Sequence, residues 1–500
     1  MQNVLEWLEA DAARVPDKVA FADESGQVTY GQLLARSRAI GSQMALSASA
    51  RRPIALYMEK SVEAICALIG AVQAGCCYSF VDSRQPAGRV AKITDTLKPA
   101  LVVTAADMID QAREVFPADM PVSTLEELEA AGEDADLLAR RRAGALSTDP
   151  LYVNFTSGST GDPKGVAVGH SSVIDFIPEF ARALGLTSDD VFACQAPLDF
   201  DVSVKDVYGA LCLGATVHLI PREYFSEPVR LLDYLCERDP TVLVWAVSAM
   251  CFVSIMGGFD YKVPASVRLV AFSGEVMPPK QLAIWRGALP SARFFNVYGP
   301  TEITCNCTYY AIERDFEADE VIPMGRAFSN ERVFLVGDDG SEVTEPNVPG
   351  ELYVGGATLA IGYYRNPERT AEAFVQNPLH DDYYDRVYKT GDLARYDDDG
   401  NLVYLSRVDH QIKHMGQRIE LGEIDAAAQA VDGVSRACCI YDSVRKRIRL
   451  FYTGSIDKAQ LKEAMREVLP PFMMPNNVKQ VQNMPLTKNG KIDRAALERA

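Results

Sequence analysis

The chain has 500 residues, 48 % of them hydrophobic and 24 % charged, which excludes a disordered or fibrous protein. A chain this long buries roughly three quarters of its unfolded surface and needs no staples. Fifty lysines and arginines against 68 aspartates and glutamates leave a formal charge of −18, a surface that repels nucleic-acid backbones and anionic lipid headgroups, although a local cluster of backbone N–H groups still binds a small phosphate.

The opening MQNVLEWLEADAARVPDKVAF has neither the basic region nor the apolar core of a signal peptide. No apolar run reaches the roughly 20 residues of a membrane helix. Apolar residues at helical spacing predict helices over 3–13 and 31–46, and they alternate with the β-rich runs PIALYM (53–58) and LVVTA (101–105). The alternation continues through ATVHLI (215–220), TVLVWAV (241–247) and VRLVAFSG (267–274), which reads as α/β with parallel sheets. From about Val333 to Val403 short strands separated by Asp-Gly turns predict a β-rich subdomain. Beyond Arg407 the texture is mixed again, with helices over 422–430 and 458–468 and strands at ACCIYD (437–442) and RIRLFYT (447–453). A boundary at 407–410 gives a core over 1–407, with its β-rich part at about 330–407, and a small α+β domain over 408–500.

The eleven cysteines include Cys76–Cys77, Cys438–Cys439 and the pair Cys305 and Cys307, and none has C-x-x-C or zinc spacing. Most, such as Cys66, Cys212 and Cys251, sit in apolar stretches and read as reduced core residues of a cytoplasmic protein. The histidines His170, His218, His380, His410 and His414 do not cluster, and no G-x-S-x-G elbow is present. They read as a loop or helix-start residue (His170) and as surface or packing residues.

The strongest local signal is Phe155-Thr156-Ser157-Gly158-Ser159-Thr160-Gly161-Asp162-Pro163-Lys164-Gly165, directly after the apolar run LYVNF. Its glycines let the backbone approach a phosphate, its four hydroxyls add donors and Lys164 neutralises charge. No Walker A pattern runs through it. The strand before it and the apolar run VAVGHSSVIDFI after it argue against a flexible linker.

The stretch FTSGSTGDPKGV resembles the signature loop of the adenylate-forming superfamily, which includes acyl-CoA synthetases, luciferases and nonribosomal-peptide adenylation domains. Further blocks resemble that family in order and spacing: FDVSVKDVY (200–208), SGE (273–275), NVYGPTE (296–302), GELYVGG (350–356), YKTGDLARY (388–396), SRVDHQIKHMGQRIELGEID (406–425) and LTKNGKIDR (486–494). The likeness covers essentially the whole chain. It implies a large N-terminal domain of stacked α/β sheets with a β-rich subdomain, then a small mobile α+β domain.

The implied reaction is attack of a carboxylate on the α-phosphate of ATP, releasing pyrophosphate and leaving an acyl-adenylate. By the resemblance, Thr156, Ser157, Gly158, Ser159, Thr160, Gly161 and Lys164 cradle the phosphates, with Thr156 and Lys164 also in the catalytic set. Tyr298 stacks on adenine, and Gly274, Glu275, Asn296, Val297, Gly299 and Thr301 line the nucleotide site. Glu302 is the implied Mg²⁺ ligand, and Asp392 grips the ribose with Arg407 beside it. Lys491 bridges the carboxylate and the α-phosphate. Asp409 is the hinge about which the small domain swings to bring Lys413 over the site in place of Lys491.

Asp201 stands where amino-acid-activating members pair an aspartate with the substrate's α-ammonium, a group that needs a counter-ion once desolvated. The implied pocket is Asp201, Val202, Lys205, Met250, Ala271, Ser273, Val297, Cys305 and Asn306, narrowed by Val202, Met250 and Val297. An inward Lys205 predicts an acidic or hydroxylated substrate side chain, and an outward, snorkelling Lys205 a small apolar one. The chain stops nine residues after Lys491 without a carrier or condensation domain. It therefore resembles a free-standing, monomeric aminoacyl–carrier-protein ligase, whose partner supplies the phosphopantetheine. Features of D-alanine ligases (SVKDVY, FSGEVMP) and of peptide synthetases (KHMGQRIELGEID) are both present. Ser406, His414-Met415 and Ile361 replace the family's glycine, Ile-Arg and arginine, the first two within the hinge loop. Ser273 replaces the cysteine of the D-alanine enzymes. A carboxylate–CoA ligase and a non-catalytic nucleotide-binding homologue are the competing readings.

Overall fold

A computed structural model describes residues 1–158, 162–408, 411–443, 445–485 and 492–499. Its contacts divide the chain into two units, one of Met1–Ser83, Lys98–Asn154 and Val166–Val408, the other of Arg84–Leu97, Phe155–Gly165 and the described part of Asp409–Ala500. No stretch of sequence announces that the helix Ala87–Leu97 and the phosphate loop group with the C-terminal segment.

The first unit is α/β. Its nine-stranded sheet has a parallel centre, with Arg293–Tyr298, Leu269–Ser273, Val242–Ala246, Val191–Cys194, Thr216–Leu219 and Val19–Ala22 side by side in that order. Antiparallel strands close both edges, Thr308–Ala311 against Arg293–Tyr298 and Gln27–Thr29 against Val19–Ala22. A second sheet of seven strands is parallel through its middle, with Cys77–Asp82, Pro53–Met58 and Leu101–Thr104 adjacent. The expected parallel sheets are thus present. At Gln27–Thr29 the antiparallel edge of the first sheet arises because a short hairpin can add a strand with no crossover.

Strands buried on both faces read as continuous apolar runs, and Pro53–Met58 and Val242–Ala246 are buried at every position. The helix Leu5–Arg14 lies one to two residues from its expected limits and the helix Tyr30–Ser47 within one. The second starts where the Thr29 hydroxyl accepts from the Gln32 N–H while the Gln32 side chain accepts from Thr29 N–H, a reciprocal cap. Six antiparallel strands from Glu331–Val336 to Leu402–Arg407 make the β-rich sheet. Its Asp-Gly turns place Gly340 at φ 80° and Gly400 at φ 76°.

In the second unit Val434–Asp442, Arg447–Gly454 and Asn477–Gln480 form a three-stranded sheet, and Gln411–His414 pairs with Gln417–Glu420 as a hairpin. The helices Leu421–Gln429 and Lys458–Arg466 fall at the predicted places, and Ile424, Leu450, Tyr452 and Leu461 form their shared core. All eleven cysteines are free thiols, eight of them buried. His170 opens the helix His170–Leu184, as expected.

Candidate active site

Parallel strands present their carboxyl ends, with the loops that follow, to one edge of a sheet, where ligands of α/β proteins gather. Three such ends lie in register here, Ala246 beside Ser273 and Phe272 beside Asn296. Ala271, Ser273 and Val297 are buried there, and Met250 is buried in the helix Val247–Ile255 that follows the third strand. Gly274 turns the chain at φ 93°, with Glu275 after it, and the Asn296 side-chain amide donates to the Pro323 carbonyl at 2.7 Å.

Tyr298 ends its strand with the phenol donating to Asp392 Oδ2. Asp392 and Arg407 face each other across an antiparallel pair, so Arg407 Nη1 donates to Asp392 Oδ1 at 2.6 Å. Arg407 Nη2 donates to the Thr390 carbonyl at 3.1 Å, and the Asp392 N–H donates to Thr390 Oγ1 at 3.0 Å. Both side chains of the pair are below a tenth exposed, and these extra hydrogen bonds offset the desolvation a buried ion pair suffers. Burial, reinforced by the Asp392 charge, pushes the Tyr298 phenol well up.

The loop after Tyr298 is tight. A Cβ at Gly299 would stand 2.5 Å from Asn306 Cα. After the short turn Thr301–Ile303, Thr304 (φ 58°) and Cys305 (φ 76°) are both left-handed. Glu302 is fully buried, accepts from the Tyr363 hydroxyl at 2.7 Å, and its carbonyl accepts from Ala360 N–H at 2.9 Å.

Asp201 immediately precedes the helix Val202–Leu213, whose first residue Val202 is buried, and the Cys305 thiol reaches the Asp201 carbonyl at 3.1 Å. Lys205 lies one turn on and does not snorkel outward. It is 1 % exposed, and Nζ donates to Asn306 Oδ1 at 2.7 Å. Burial pulls its pKa down, and the nearby Cys305, Asp201 and Asp206 oppose the fall. Asp206 is fully buried beside the Cys194 thiol, and burial pushes its carboxyl up to about 7.

In the second unit the phosphate loop meets carboxylates. Ser157 Oγ donates to the Arg418 carbonyl at 2.7 Å and accepts from Glu420 N–H at 3.1 Å. Gly158 N–H donates to Glu423 Oε2 at 3.1 Å, and Arg89 Nη1 holds Glu423 Oε1 at 2.7 Å. Lys164 Nζ stands 3.8 Å from Glu420 Oε1. Burial raises the Glu423 carboxyl, and Arg89 and the Gly158 N–H oppose the rise. Thr156 Oγ1 is buried with no hydrogen-bond partner among the described residues. The loop therefore offers a backbone N–H, hydroxyls and an ammonium to anionic oxygen. Ser159, Thr160, Gly161, Lys491 and Asp409 lie outside the described residues.

A sequence profile described as "AMP-binding enzyme" matches residues 8–364, and one described as "AMP-binding enzyme C-terminal domain" matches 423–491. This chain belongs to the AMP-binding enzyme family. Its likeness to tyrocidine synthase 3 of Brevibacillus parabrevis is 33 % identity over 505 residues, covering 99 % of this chain and 8 % of that protein. It thus spans only a small part of that synthase's length. L-proline--[L-prolyl-carrier protein] ligase of Streptomyces coelicolor is 32 % identical over 497 residues, 94 % of this chain and 91 % of that one. The solved structure of holo-PA1221, described as an NRPS protein containing adenylation and PCP domains bound to a vinylsulfonamide inhibitor, superposes with a TM-score of 0.84. It is 26 % identical and covers 100 % of this chain and 84 % of that one. A large N-terminal and a smaller C-terminal domain are the architecture this AMP-binding enzyme shares with it.

Several residues of this AMP-binding enzyme carry no signal of their role in the sequence. Tyr363 looks like one more aromatic after a strand, and Arg89 like an ordinary helix residue. Glu420 and Glu423 lie inside the block RIELGEID, which marks the segment but not its carboxylates' partners. Asp206 follows Lys205 directly, and only its burial distinguishes it.

Proposed function

We propose that the chain activates an amino acid with ATP and passes the acyl group to the phosphopantetheine thiol of a separate carrier protein. The observation that supports this reading is a buried aspartate, Asp201, with a buried Lys205 one helical turn on, whose ammonium donates to Asn306 rather than reaching solvent. A fatty or aryl acid has no cation to match Asp201, whereas an α-ammonium does. The proline–carrier-protein ligase and the adenylation–PCP structure among the relatives support it.

In this reading the substrate carboxylate attacks the α-phosphorus, the bond to the pyrophosphate oxygen breaks, and the aminoacyl-adenylate remains. Tyr298 and Asn296 flank the base with Gly274, Glu275, Gly299 and Thr301, while Asp392, held by Arg407, accepts from the ribose hydroxyls. Thr156, Ser157, Gly158 and Lys164, with Ser159, Thr160 and Gly161, receive the β- and γ-phosphates, and Lys491 neutralises charge between carboxylate and phosphate. Among the described residues no cluster of three or more His, Cys, Asp or Glu could cage a metal. By the resemblance Glu302, a buried carboxylate oriented by the Tyr363 hydroxyl, would hold Mg²⁺ as a single protein ligand together with phosphate oxygens, and the ion would supply charge neutralisation there. The small domain, swinging near Asp409, exchanges Lys491 for Lys413 before thioester formation.

The side-chain end of the pocket favours a small or medium amino acid carrying an acceptor, a carboxylate or hydroxyl that satisfies the Lys205 ammonium. Val202, Met250 and Val297 limit its size. The eleven free thiols support a reducing, cytoplasmic setting.

Amino-acid-dependent ATP–pyrophosphate exchange tests the reading, run over L- and D-amino acids and short fatty and aryl acids. Exchange with one or a few acidic or hydroxylated amino acids is the expected result. Exchange with acyl or aryl acids alone would move the chain to the CoA-ligase branch. Lys491→Ala should abolish exchange while ATP binding, followed by calorimetry, persists.

A further inference from the structure

The turn that presents Glu302, Cys305 and Asn306 is strained. Thr304 and Cys305 are consecutive left-handed residues, a conformation unfavourable at each non-glycine position. Thr304 is moreover β-branched, the residue type least suited to positive φ. Something must hold the turn, and the hydrogen bonds identify it. Thr304 Oγ1 donates to the Thr358 carbonyl at 2.6 Å, and both residues are fully buried. Thr358 Oγ1 in turn donates to Glu331 Oε1. Two residues past Thr358, Ala360 N–H donates to the Glu302 carbonyl at 2.9 Å.

Glu331 opens the strand Glu331–Val336 and lies in register with Gly356 on the neighbouring strand. A Cβ on Gly356 would stand 2.9 Å from Glu331 Oε2, so the carboxyl occupies space that only glycine leaves. Oε2 is buried and has no hydrogen-bond partner among the described residues. A buried carboxyl with a single side-chain partner is an expensive way to fill a sheet, and its cost points to a task.

We propose that Glu331 is a positioning residue for the pocket: through Thr358 it fixes the left-handed Thr304–Cys305 turn and thereby the placement of Glu302, Cys305 and Asn306. The inference rests on the amino-acid-activating reading for its kinetic consequence, but not for its structural one. Of the elements packed around Glu331, the helix His170–Leu184 brings Asp175, whose carboxylate accepts from the Asn330 amide at 2.7 Å. The strand Gly350–Gly356 and the 357–360 loop bring Gly356 and Thr358, neither of which titrates. Burial first pushes the Glu331 carboxyl up to about 8, with the Thr358 hydroxyl opposing and the Asp175 charge adding to the rise, which favours its neutral form at pH 7. Above that pH the strut carries a buried charge, which the Thr358 hydroxyl stabilises only in part.

The experiment compares the wild-type chain with Glu331→Gln, Glu331→Ala, Thr358→Val and Thr358→Ser from about pH 4.5 to 9. Thermal unfolding needs no substrate. Through Glu331 wild type should lose melting temperature between about pH 4.5 and 8 and level off above, and Glu331→Gln, a neutral mimic, should lose measurably less over that range. In pyrophosphate exchange, KM for the amino acid should rise about tenfold in Glu331→Ala and Thr358→Val at pH 7, with KM for ATP within about twofold. Glu331→Gln and Thr358→Ser should restore it. Parallel melting profiles for wild type and Glu331→Gln, or an unchanged amino-acid KM in Glu331→Ala, would overturn the proposal. If no amino acid supports exchange in wild type, the functional reading fails, and the melting comparison alone still decides the role of Glu331.

Discussion

Asp392 and Lys205 show how single polar groups are made tolerable inside the first unit. Asp392 is matched by Arg407 and by the Tyr298 hydroxyl, so removing its charge strands a buried guanidinium. Asp392→Ala should cost about 3–5 kcal/mol of stability, read by denaturant unfolding. The double replacement Asp392→Leu with Arg407→Met should recover most of that loss without recovering nucleotide affinity, which would separate the fold's need for the pair from the ligand's. Lys205 is different, because its ammonium shares a neutral amide, Asn306, rather than a carboxylate. Lys205→Ala should shift amino-acid selectivity from acidic or hydroxylated towards apolar side chains, measured as kcat/KM ratios across the exchange panel. Unchanged ratios would remove Lys205 from the substrate pocket.

At the scale of elements, close approach decides the sign of small substitutions. The helices Tyr30–Ser47 and Val62–Gln73 cross where Gly41 and Gly70 meet, and a Cβ on Gly41 would lie 2.7 Å from the Gly70 carbonyl and 2.6 Å from Gln73 Cβ. Alanine favours a helix by about 0.5–1 kcal/mol over glycine, but here the backbone cannot yield. Gly41→Ala should destabilise by about 1–3 kcal/mol. Gly287 lies in the helix Pro279–Ala288, and a Cβ added there would meet nothing within 4 Å, so Gly287→Ala should stabilise by about 0.5–1 kcal/mol. Thermal melts of the two variants give opposite shifts if packing rather than propensity governs the crossing.

For the whole molecule, buried titratable groups shape the pH dependence of stability. Burial raises Asp206 and Glu331 above their ordinary 3.8 and 4.5, to about 7 and about 8. The folded chain keeps protons there that the unfolded chain releases, so stability present at low pH is lost as pH climbs through those values. His170 and His218 are pulled from 6.5 to about 4, chiefly by burial. Their contribution is present above 6.5 and lost as pH falls towards 4. The two pairs oppose each other between about pH 4.5 and 6.5, so the melting temperature should be nearly level there, decline towards pH 4 and fall between about pH 6.5 and 8; a flat profile from pH 5 to 9 would contradict it. Much of this protein is written locally. The strands Pro53–Met58 and Val242–Ala246 are apolar runs, the Thr29 cap and the Asp-Gly turns name their own geometry, and the phosphate loop declares its chemistry within eleven residues. Such features depend on neighbours in the chain, whose propensities and spacing the sequence states directly. The direction of Lys205, the hold of Tyr363 on Glu302 and the Glu331–Thr358–Thr304 strut depend on partners 101, 61 and 27 or more residues away. Only the tertiary structure decided these, because strand register and burial, not local spacing, bring the groups together and set what each charge costs.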